Sequence, residues 1–366
     1  MFLKKLKLIN FKNYEDQSFE FCSNINCLVG LNASGKTNIL DAIYYLSFTK
    51  SYFSNTDSRS IRHGEDFFAI HGFYEIGGEE ALKLSLTLKK GEKKNLKLNE
   101  KTYSKFADHI GLLPLVMISP YDRDLINEGS DIRRKYLDSV IAQFDKVYLS
   151  ELIRYNKVLK QRNVVIKNFF DKRLKKSDVE IWNEQLARLG NEIFRKRKHF
   201  IELYIPIFQK YFDLISDGKE TVSLEYNSDL HHHHLEELLA SSIDEDIRIH
   251  YTTKGIHKDD LLLKIDQYPI KRFGSQGQQK SYVIAMKLAQ FEYTKDVTSI
   301  QPILLMDDIF DKLDEERVTQ IINMVKQDDF GQIFISDTHK DRILNIFNTV
   351  DTKHKIYEIA QGKIVQ

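Results

Sequence analysis

Three stretches of this chain carry residue types at spacings suited to phosphate chemistry. Gly30-Leu31-Asn32-Ala33-Ser34-Gly35-Lys36-Thr37 fits the loop pattern G-x-x-x-x-G-K-[ST]. In such a loop, successive backbone N–H groups and the positive end of a helix dipole face the α- and β-phosphates. Lys36 then reaches the β- and γ-phosphates, and the Thr37 hydroxyl ligates Mg²⁺. Gly30, Asn32, Gly35, Lys36, Thr37 and Asn38 are therefore the expected contacts to the phosphates of a nucleotide, with glycine where the backbone itself approaches phosphate. Ile303-Leu304-Leu305-Met306-Asp307-Asp308 is an apolar run closed by two carboxylates. Asp307 fits the carboxylate that holds Mg²⁺, directly or through water, and Asp308 beside it is placed to polarise an attacking water as general base. The catalytic candidates are thus Lys36 and Asp308, and the metal candidates Thr37 and Asp307. The third stretch is Phe273-Gly274-Ser275-Gln276-Gly277-Gln278-Gln279-Lys280-Ser281, where Ser275, the backbone of Gly277 and Gln278 are candidate ATP contacts, donating to a γ-phosphate at a helix start. Alone it reads as a capped helix after a glycine-containing loop, and the other two stretches give it meaning.

These groups need a particular frame. Ile25-Asn26-Cys27-Leu28-Val29 reads as a short buried strand, and Asn38 to Leu46 carries apolar residues at helical spacing, so the first loop joins a strand to a helix N-terminus. The apolar run before Asp307 predicts a buried parallel strand ending at the rim where ligands bind. Residues 2–10, 17–22, 68–76 and 82–88 read as further strands. Lys89-Lys90-Gly91-Glu92-Lys93-Lys94-Asn95 reads as a basic hairpin tip, with Leu96, Leu98 and Tyr103 on the returning side. From about 131 the texture becomes helical. Leu186, Leu189, Ile193, Phe200, Leu203, Ile207 and Leu214 recur at spacings of three, four or seven, and 133–170 patterns similarly, which predicts an antiparallel helical pair. Asp217-Gly218-Lys219 ends the helix, and His231-His232-His233-His234 reads as an exposed linker.

A chain of 366 residues, 42% hydrophobic and 29% charged, has the material for one large or two modest domains. Cys22 and Cys27 have no metal-ligand spacing and read as reduced thiols of a reducing compartment. The N-terminus turns to charge too early for a signal peptide, and no run approaches the roughly 18 apolar residues of a membrane span, so a cytoplasmic protein is expected. The net charge of +1 excludes a uniformly basic nucleic-acid binder, yet residues 151–200 hold 14 Lys and Arg against 6 Asp and Glu. That segment and the 89–94 hairpin are the candidate sequence-independent contacts to DNA phosphates, with Lys93, Lys94, Arg195 and Arg197 as named residues. A guanine-reading Asn-Lys-x-Asp motif is absent, which disfavours a small GTPase.

The order of phosphate loop, long insertion, Ser275-Gln276-Gly277-Gln278, acidic strand and Asp311-Lys312-Leu313-Asp314 resembles the ABC-type ATPase heads of SMC-like DNA repair proteins. Within them it is closer to the RecF family of bacterial recombination mediators. Leu8-Ile9-Asn10-Phe11-Lys12-Asn13-Tyr14 resembles that family's opening strand and turn, and Ser275 to Lys280 its signature. Asp124 to Asp138 resembles its E-D-L…G-x-x-x-x-R-R-x-x-L-D block, and Gly255-Ile256-His257-Lys258-Asp259-Asp260-Leu261 its G-P-H-R-D-D-L block, with Ile256 and Lys258 in place of proline and arginine. The resemblance implies an α/β, ABC-type P-loop head from residues 1–120 and 251–366, with an inserted, mainly helical lobe over 121–250. It implies a nucleotide sandwiched between the phosphate loop of one subunit and the signature serine of another, hence an ATP-dependent homodimer with weak, DNA-stimulated hydrolysis as a switch. It further implies duplex DNA and single-strand gaps or ss/dsDNA junctions as targets, RecO and RecR as partners, and RecA loading in repair, replication restart and the SOS response. Either Asp337 or His339 would sense the γ-phosphate. A different class of reading is an ATP-gated structural clamp whose main target is a protein. A nuclease built on such a head would need a further acidic metal domain, for which no length remains.

Overall fold

The computed structural model describes all residues except 77, 171–173, 311, 312, 314, 327–329, 348–352 and 366. Asp311, Lys312 and Asp314 of the expected Asp311–Asp314 motif therefore lie outside the described residues. The chain separates into two compact units, one of 1–122, 214–216 and 276–366, the other of 123–213 and 217–275.

The first unit is built on two sheets. One is antiparallel and runs Tyr14–Glu20, Phe2–Phe11, Phe67–Ile76, Glu79–Lys89, Asn95–Leu98, Lys101–Thr102 across its width. The other runs Lys363–Ile364, His354–Ala360, Ile25–Val29, Ile333–Asp337, Ile303–Asp307, Leu115–Ile118, and all its neighbours are parallel except the first pair. Ile25–Val29, Ile333–Asp337, Ile303–Asp307 and Leu115–Ile118 are buried along their whole length, as continuous apolar runs must be when both faces of a parallel sheet are covered. The helix Lys36–Phe48 contacts strands of both sheets. That placement explains its composition: Ile39, Leu40, Ala42, Ile43, Tyr44, Tyr45, Leu46 and Phe48 are all buried, so the helix is covered all round rather than on one stripe. Tyr45, Phe11 and Phe68 meet edge to face at its side, with centroids 5.4–6.2 Å apart.

Pairing in the parallel sheet brings remote residues to one rim. Val29 pairs with Asp337, and Asp307 with Ser336, at the carboxyl ends of their strands. Open parallel sheets bind ligands at that end.

The second unit is mainly helical. Lys146–Lys167 and Ser177–Ser216 run antiparallel, because Arg162 near the end of the first bonds Asn183 near the start of the second, while Asp145 at the head of the first pairs with Lys196. Asp145 also caps its helix by accepting from the Tyr148 N–H. The apolar stripe on the long helix agrees with the sequence through Leu186, Leu189, Ile193 and Phe200, then departs from it. Leu203 and Leu214 are exposed, and the buried positions are Tyr204, Phe208, Phe212 and Ile215. The drift follows from 3.6 residues per turn: repeats of seven rotate steadily off a straight helix face. Residues 251–275, assigned to the head in the sequence reading, fall in this unit, because Asp260–Ile265 pairs antiparallel with Val222–Asn227 and with Tyr268–Pro269.

Candidate nucleotide-binding site

The loop between Val29 and Lys36 owes its shape to two glycines. Gly30 has φ +151° and Gly35 φ +119°, and a Cβ at Gly30 would lie 2.2 Å from the Ile359 carbonyl oxygen. At Gly35 it would lie 2.6 Å from both Asn13 Nδ2 and Tyr14 Oη. Those two side chains brace the loop from outside. Tyr14 Oη donates to the Gly35 carbonyl at 3.1 Å, Asn13 Nδ2 to the Ser34 carbonyl at 3.1 Å, and Asn38 Nδ2 to Asn13 Oδ1 at 2.7 Å. The helix that follows begins directly at Lys36 with no side-chain cap, leaving its first N–H groups for a ligand.

Lys36 Nζ donates to the carbonyls of Gly30 at 2.7 Å and Leu31 at 2.9 Å. Burial lowers its pKa, against the opposing pull of Asp308, Asp307 and Asp337. Thr37 Oγ1 donates to the Asp307 carboxylate, 3.0 Å from Oδ1 and 3.1 Å from Oδ2, and Ser336 Oγ donates to Oδ1 at 2.6 Å. Burial raises the Asp307 pKa, with the hydroxyls of Ser336 and Thr37 offsetting it and Asp308 reinforcing it. Asp308 follows with φ +48°, its N–H donating to Ser336 Oγ at 3.0 Å. A cavity of about 130 Å³ is lined by Asn32, Ala33, Gly35, Lys36, Thr37, Asn38, Asp307, Asp308, Ser336 and Thr338. A second, of about 470 Å³, borders the other side of the loop between Val29 and Ser34 and is also lined by Lys340, Glu358 and Ile359.

These groups fit a triphosphate with a divalent cation. The ammonium donates to carbonyls of its own loop, the buried Ser34 Oγ has no hydrogen-bond partner among the described residues, and two oxygen ligands converge at Thr37 and Asp307. Comparison with known proteins agrees. The family model described as RecF/RecN/SMC N terminal domain matches residues 2–364. The DNA replication and repair protein RecF of Flavobacterium johnsoniae is 51% identical over 360 residues, covering 98% of this chain and 100% of the relative. The chain belongs to the RecF family. RecF of Bacteroides thetaiotaomicron is 46% identical over 364 residues, covering 100% of this chain and 98% of its own. The solved structure of the recombination mediator protein RecF-ATP in the RecFOR pathway superposes with a TM-score of 0.88 at 30% identity, over 99% of this chain and 96% of that one. An SmcHead bound to the C-winged helix domain of ScpA superposes with a TM-score of 0.58 at 16% identity, over 100% of this chain and 97% of that one. The fold is the ABC-type ATPase head that RecF shares with SMC proteins.

Within this RecF-family site the structure brings together Gly30, Asn32, Gly35, Lys36, Thr37, Asn38, Asp307 and Asp308 at one loop and strand end. Gly277 and Gln278, half-buried at the start of the helix Gln276–Thr298, do not line either cavity, and Ser275 is exposed in the second unit. Sequence reasoning missed Ser336 and Thr338, which line the smaller cavity, and the bracing pair Asn13 and Tyr14. Asp337 is buried and accepts from the His339 N–H at 2.7 Å and from Arg342 at 3.2 Å. Thr338 between them, rather than Asp337 or His339, faces the cavity.

Two of the expected DNA contacts are corrected. Arg197 is 1% exposed, bound to Asp138 at 2.8 Å, to Asp259 at 3.0 Å and to the Ile256 carbonyl at 2.8 Å, so it is a structural ion in the second unit. Lys94 bonds Asp57 at 2.6 Å with its side chain 11% exposed, and packs over the Tyr45 and Phe106 rings. Lys93 is exposed, and Arg195 is exposed beside Glu192 at 2.9 Å. No helix among the described residues is long and apolar enough to cross a membrane. His231 bonds the Tyr226 carbonyl at 2.9 Å, and among the described residues no three His, Cys, Asp or Glu side chains cluster as a metal site.

Proposed function

We propose that this RecF-family protein is an ATP-switched recombination mediator. ATP and Mg²⁺ close two copies around DNA at single-strand gaps or ss/dsDNA junctions, and the closed dimer acts with RecO and RecR to promote RecA loading. The observation that carries the reading is the meeting of Lys36, Thr37, Asp307 and Asp308 at one loop and strand rim, in a chain related to RecF along its whole length. The solved relative described as RecF-ATP in the RecFOR pathway supports the ligand and the pathway.

Lys36 exchanges the Gly30 and Leu31 carbonyls for β- and γ-phosphate oxygens, so its charge is already poised where the phosphates arrive. Thr37 Oγ1 and the Asp307 carboxylate, fixed by Ser336, would hold Mg²⁺. When bound, that ion neutralises the phosphate oxygens and polarises the γ-phosphorus. Asp308, next in the chain and facing the same cavity, accepts the proton of the attacking water. Ser275 and the Gly277 N–H approach the γ-phosphate held by the second copy, consistent with their absence from the linings of this chain's cavities. The expected hydrolysis is slow and DNA-stimulated, releasing the dimer. For the DNA surface, the buried Arg197 and the half-buried, Asp57-paired Lys94 drop out, and exposed Arg154, Lys157, Lys160 and Lys167 on the helix Lys146–Lys167 join Lys93 and Arg195.

Solution mass with ATP and Mg²⁺, with ADP, and with neither, each with a gapped duplex, tests this. A dimer that forms only with ATP and retains DNA is expected; a monomer in every condition refutes it. Lys36→Ala should abolish ATP binding, whereas Asp308→Asn should bind ATP, hydrolyse it at least about 100-fold more slowly and accumulate the dimer. Equal loss of binding in both variants contradicts the separate roles.

A further inference from the structure

The residues just before the signature serine form an exposed aromatic ledge that the ATP site described so far does not use. Tyr268 and Phe273 are 56% and 55% exposed, yet their rings lie together, centroids 4.9 Å apart and tilted by 41°. The Arg272 guanidinium lies 5.6 Å over the Phe273 ring, and Lys271 is anchored by its ammonium to the Asn127 carbonyl at 2.6 Å. Tyr268 closes a short antiparallel pair with Ile265, and Phe273 ends the single helical turn Ile270–Phe273, so both rings are held by backbone structure rather than by a free loop. Two adjacent rings with a guanidinium against one of them make a surface that stacks on a planar, electron-rich heterocycle.

The phosphate loop has the converse deficiency. Among the described residues, neither cavity that flanks it is lined by an aromatic side chain. A nucleotide held there has its phosphates cradled and its base without a ring to stack on in those linings.

We propose that Phe273 and Tyr268, with Arg272, stack on the adenine base of the ATP held by the phosphate loop of a second copy of this chain. This rests on the sandwich reading above, because it is Ser275 that places this segment at the partner's nucleotide. Phe273 precedes Ser275 by two residues, at most about 7 Å of extended chain. A segment whose serine reaches the γ-phosphate therefore carries the ledge along with it, and the base lies a sugar and a triphosphate away. In this arrangement ATP glues the dimer through both of its ends: the γ-phosphate to the signature serine and the base to the ledge. The ledge also gives the dimer a preference among nucleotides that the phosphate loop, which reads only phosphates, cannot supply.

The test is dimerisation of the full chain, by analytical ultracentrifugation, with ATP or ribose 5-triphosphate in Mg²⁺, for the natural protein, Phe273→Ala, Tyr268→Ala and Phe273→Trp. Loss of one stacked ring costs about fivefold at each site, and a two-fold dimer has two sites, so Phe273→Ala should weaken the ATP-driven dimer about 25-fold. Phe273→Trp should restore it. With ribose 5-triphosphate the natural protein and Phe273→Ala should dimerise equally, because no base is present to couple to the ring. Binding of ATP to dilute monomer, read by equilibrium dialysis, should be the same in all four proteins, and matching chemical-denaturation midpoints show that the second unit, which carries the ledge, still folds in the variants. The proposal falls if the natural protein dimerises with ATP while Phe273→Ala and Tyr268→Ala match it, or if the ring deletion weakens the ribose triphosphate dimer as much as the ATP dimer. If the natural protein does not dimerise with ATP at all, the sandwich reading itself fails, and the ledge has no base to meet.

Discussion

Both units of this protein bury charged side chains in polar networks, and the two networks differ in one informative respect. Around Arg197 the guanidinium meets two carboxylates and a carbonyl, while the hydroxyls of Tyr148 and Tyr226 donate to those same carboxylates. Arg197 lines neither of the two cavities beside the phosphate loop. Around Lys36 the ammonium is held by two carbonyls of its own loop, a buried serine hydroxyl lacks a partner among the described residues, and the acidic groups face an open cavity. Burial of charge is common to both regions. The closed network stabilises, and the one left with makeshift partners beside a cavity binds.

Breaking each network should therefore have opposite consequences. Arg197→Met leaves Asp138 and Asp259 without their cation and should cost about 3–5 kcal/mol in chemical denaturation. Lys36→Met should change stability by no more than about 1 kcal/mol while abolishing ATP binding. If Lys36→Met is the more destabilising of the two, the distinction between the networks fails.

The second unit also carries a buried histidine whose titration enters its stability. His257 Nε2–H donates to the Thr252 carbonyl at 3.1 Å and Nδ1 accepts from Tyr155 Oη at 2.9 Å, and burial pushes its pKa down from 6.5 to about 4. The unfolded chain binds a proton at this residue near pH 6.5 and the folded chain only near pH 4, so stability falls as the pH drops through that window. The loss reaches about 3 kcal/mol at its acid end. Denaturation midpoints between pH 7 and 4 should show it, and His257→Asn should flatten the profile over that range. A profile unchanged by His257→Asn would remove this residue as the cause.

Intermediate in size is the effect of a methyl group at the loop. Gly35→Ala sets a Cβ 2.6 Å from Asn13 Nδ2 and Tyr14 Oη at a φ of +119°, and should cost about 1–3 kcal/mol in stability as well as ATP affinity. Gly91→Ala, at φ +80° but with nothing within 4 Å of its Cβ, has the backbone strain without the clash. The difference between the two variants measures the bracing contact.

Most of the residues gathered at the candidate site were legible because each of the motifs that holds them is local. A loop pattern, a strand ending in two carboxylates and their order along the chain specify which residues meet, and a parallel sheet then has one rim at which they can. What escaped were residues whose role depends on pairing across the sheet. Ser336 reaches Asp307 only because their strands are neighbours in register, and Thr338 faces the cavity while Asp337 turns to cap the following turn. Asn13 and Tyr14 lay within a recognised block, but nothing in their types says that they buttress a loop some twenty residues later. Arg197 was misread for a different reason. A net positive segment on an amphipathic helix looks the same whether its arginine faces water or an acidic pair contributed by distant segments. Asp138 and Asp259 come from outside the helix, so composition within 151–200 could not reveal them.

The smallest effects expected are on the surface, where they separate a solvated ion pair from a nucleic-acid contact. Arg195 and Glu192 are three residues apart on one exposed helix face, an arrangement that adds little stability. Arg195→Ala should leave the denaturation midpoint unchanged within error. Its effect on DNA should be equally plain in kind: if Arg195 touches a phosphate, the slope of log affinity against log salt falls by about one. The exposed residues Arg154, Lys157 and Lys160 share a helix that Arg195 does not, and Arg154→Glu, Lys157→Glu and Lys160→Glu together should reduce that slope by about three while also leaving stability alone. A triple variant that keeps its salt slope would mean that the helix Lys146–Lys167 presents its charge only to water. The confined positive segment would then be a solvated face, as a helix of this kind is when no phosphate lies against it.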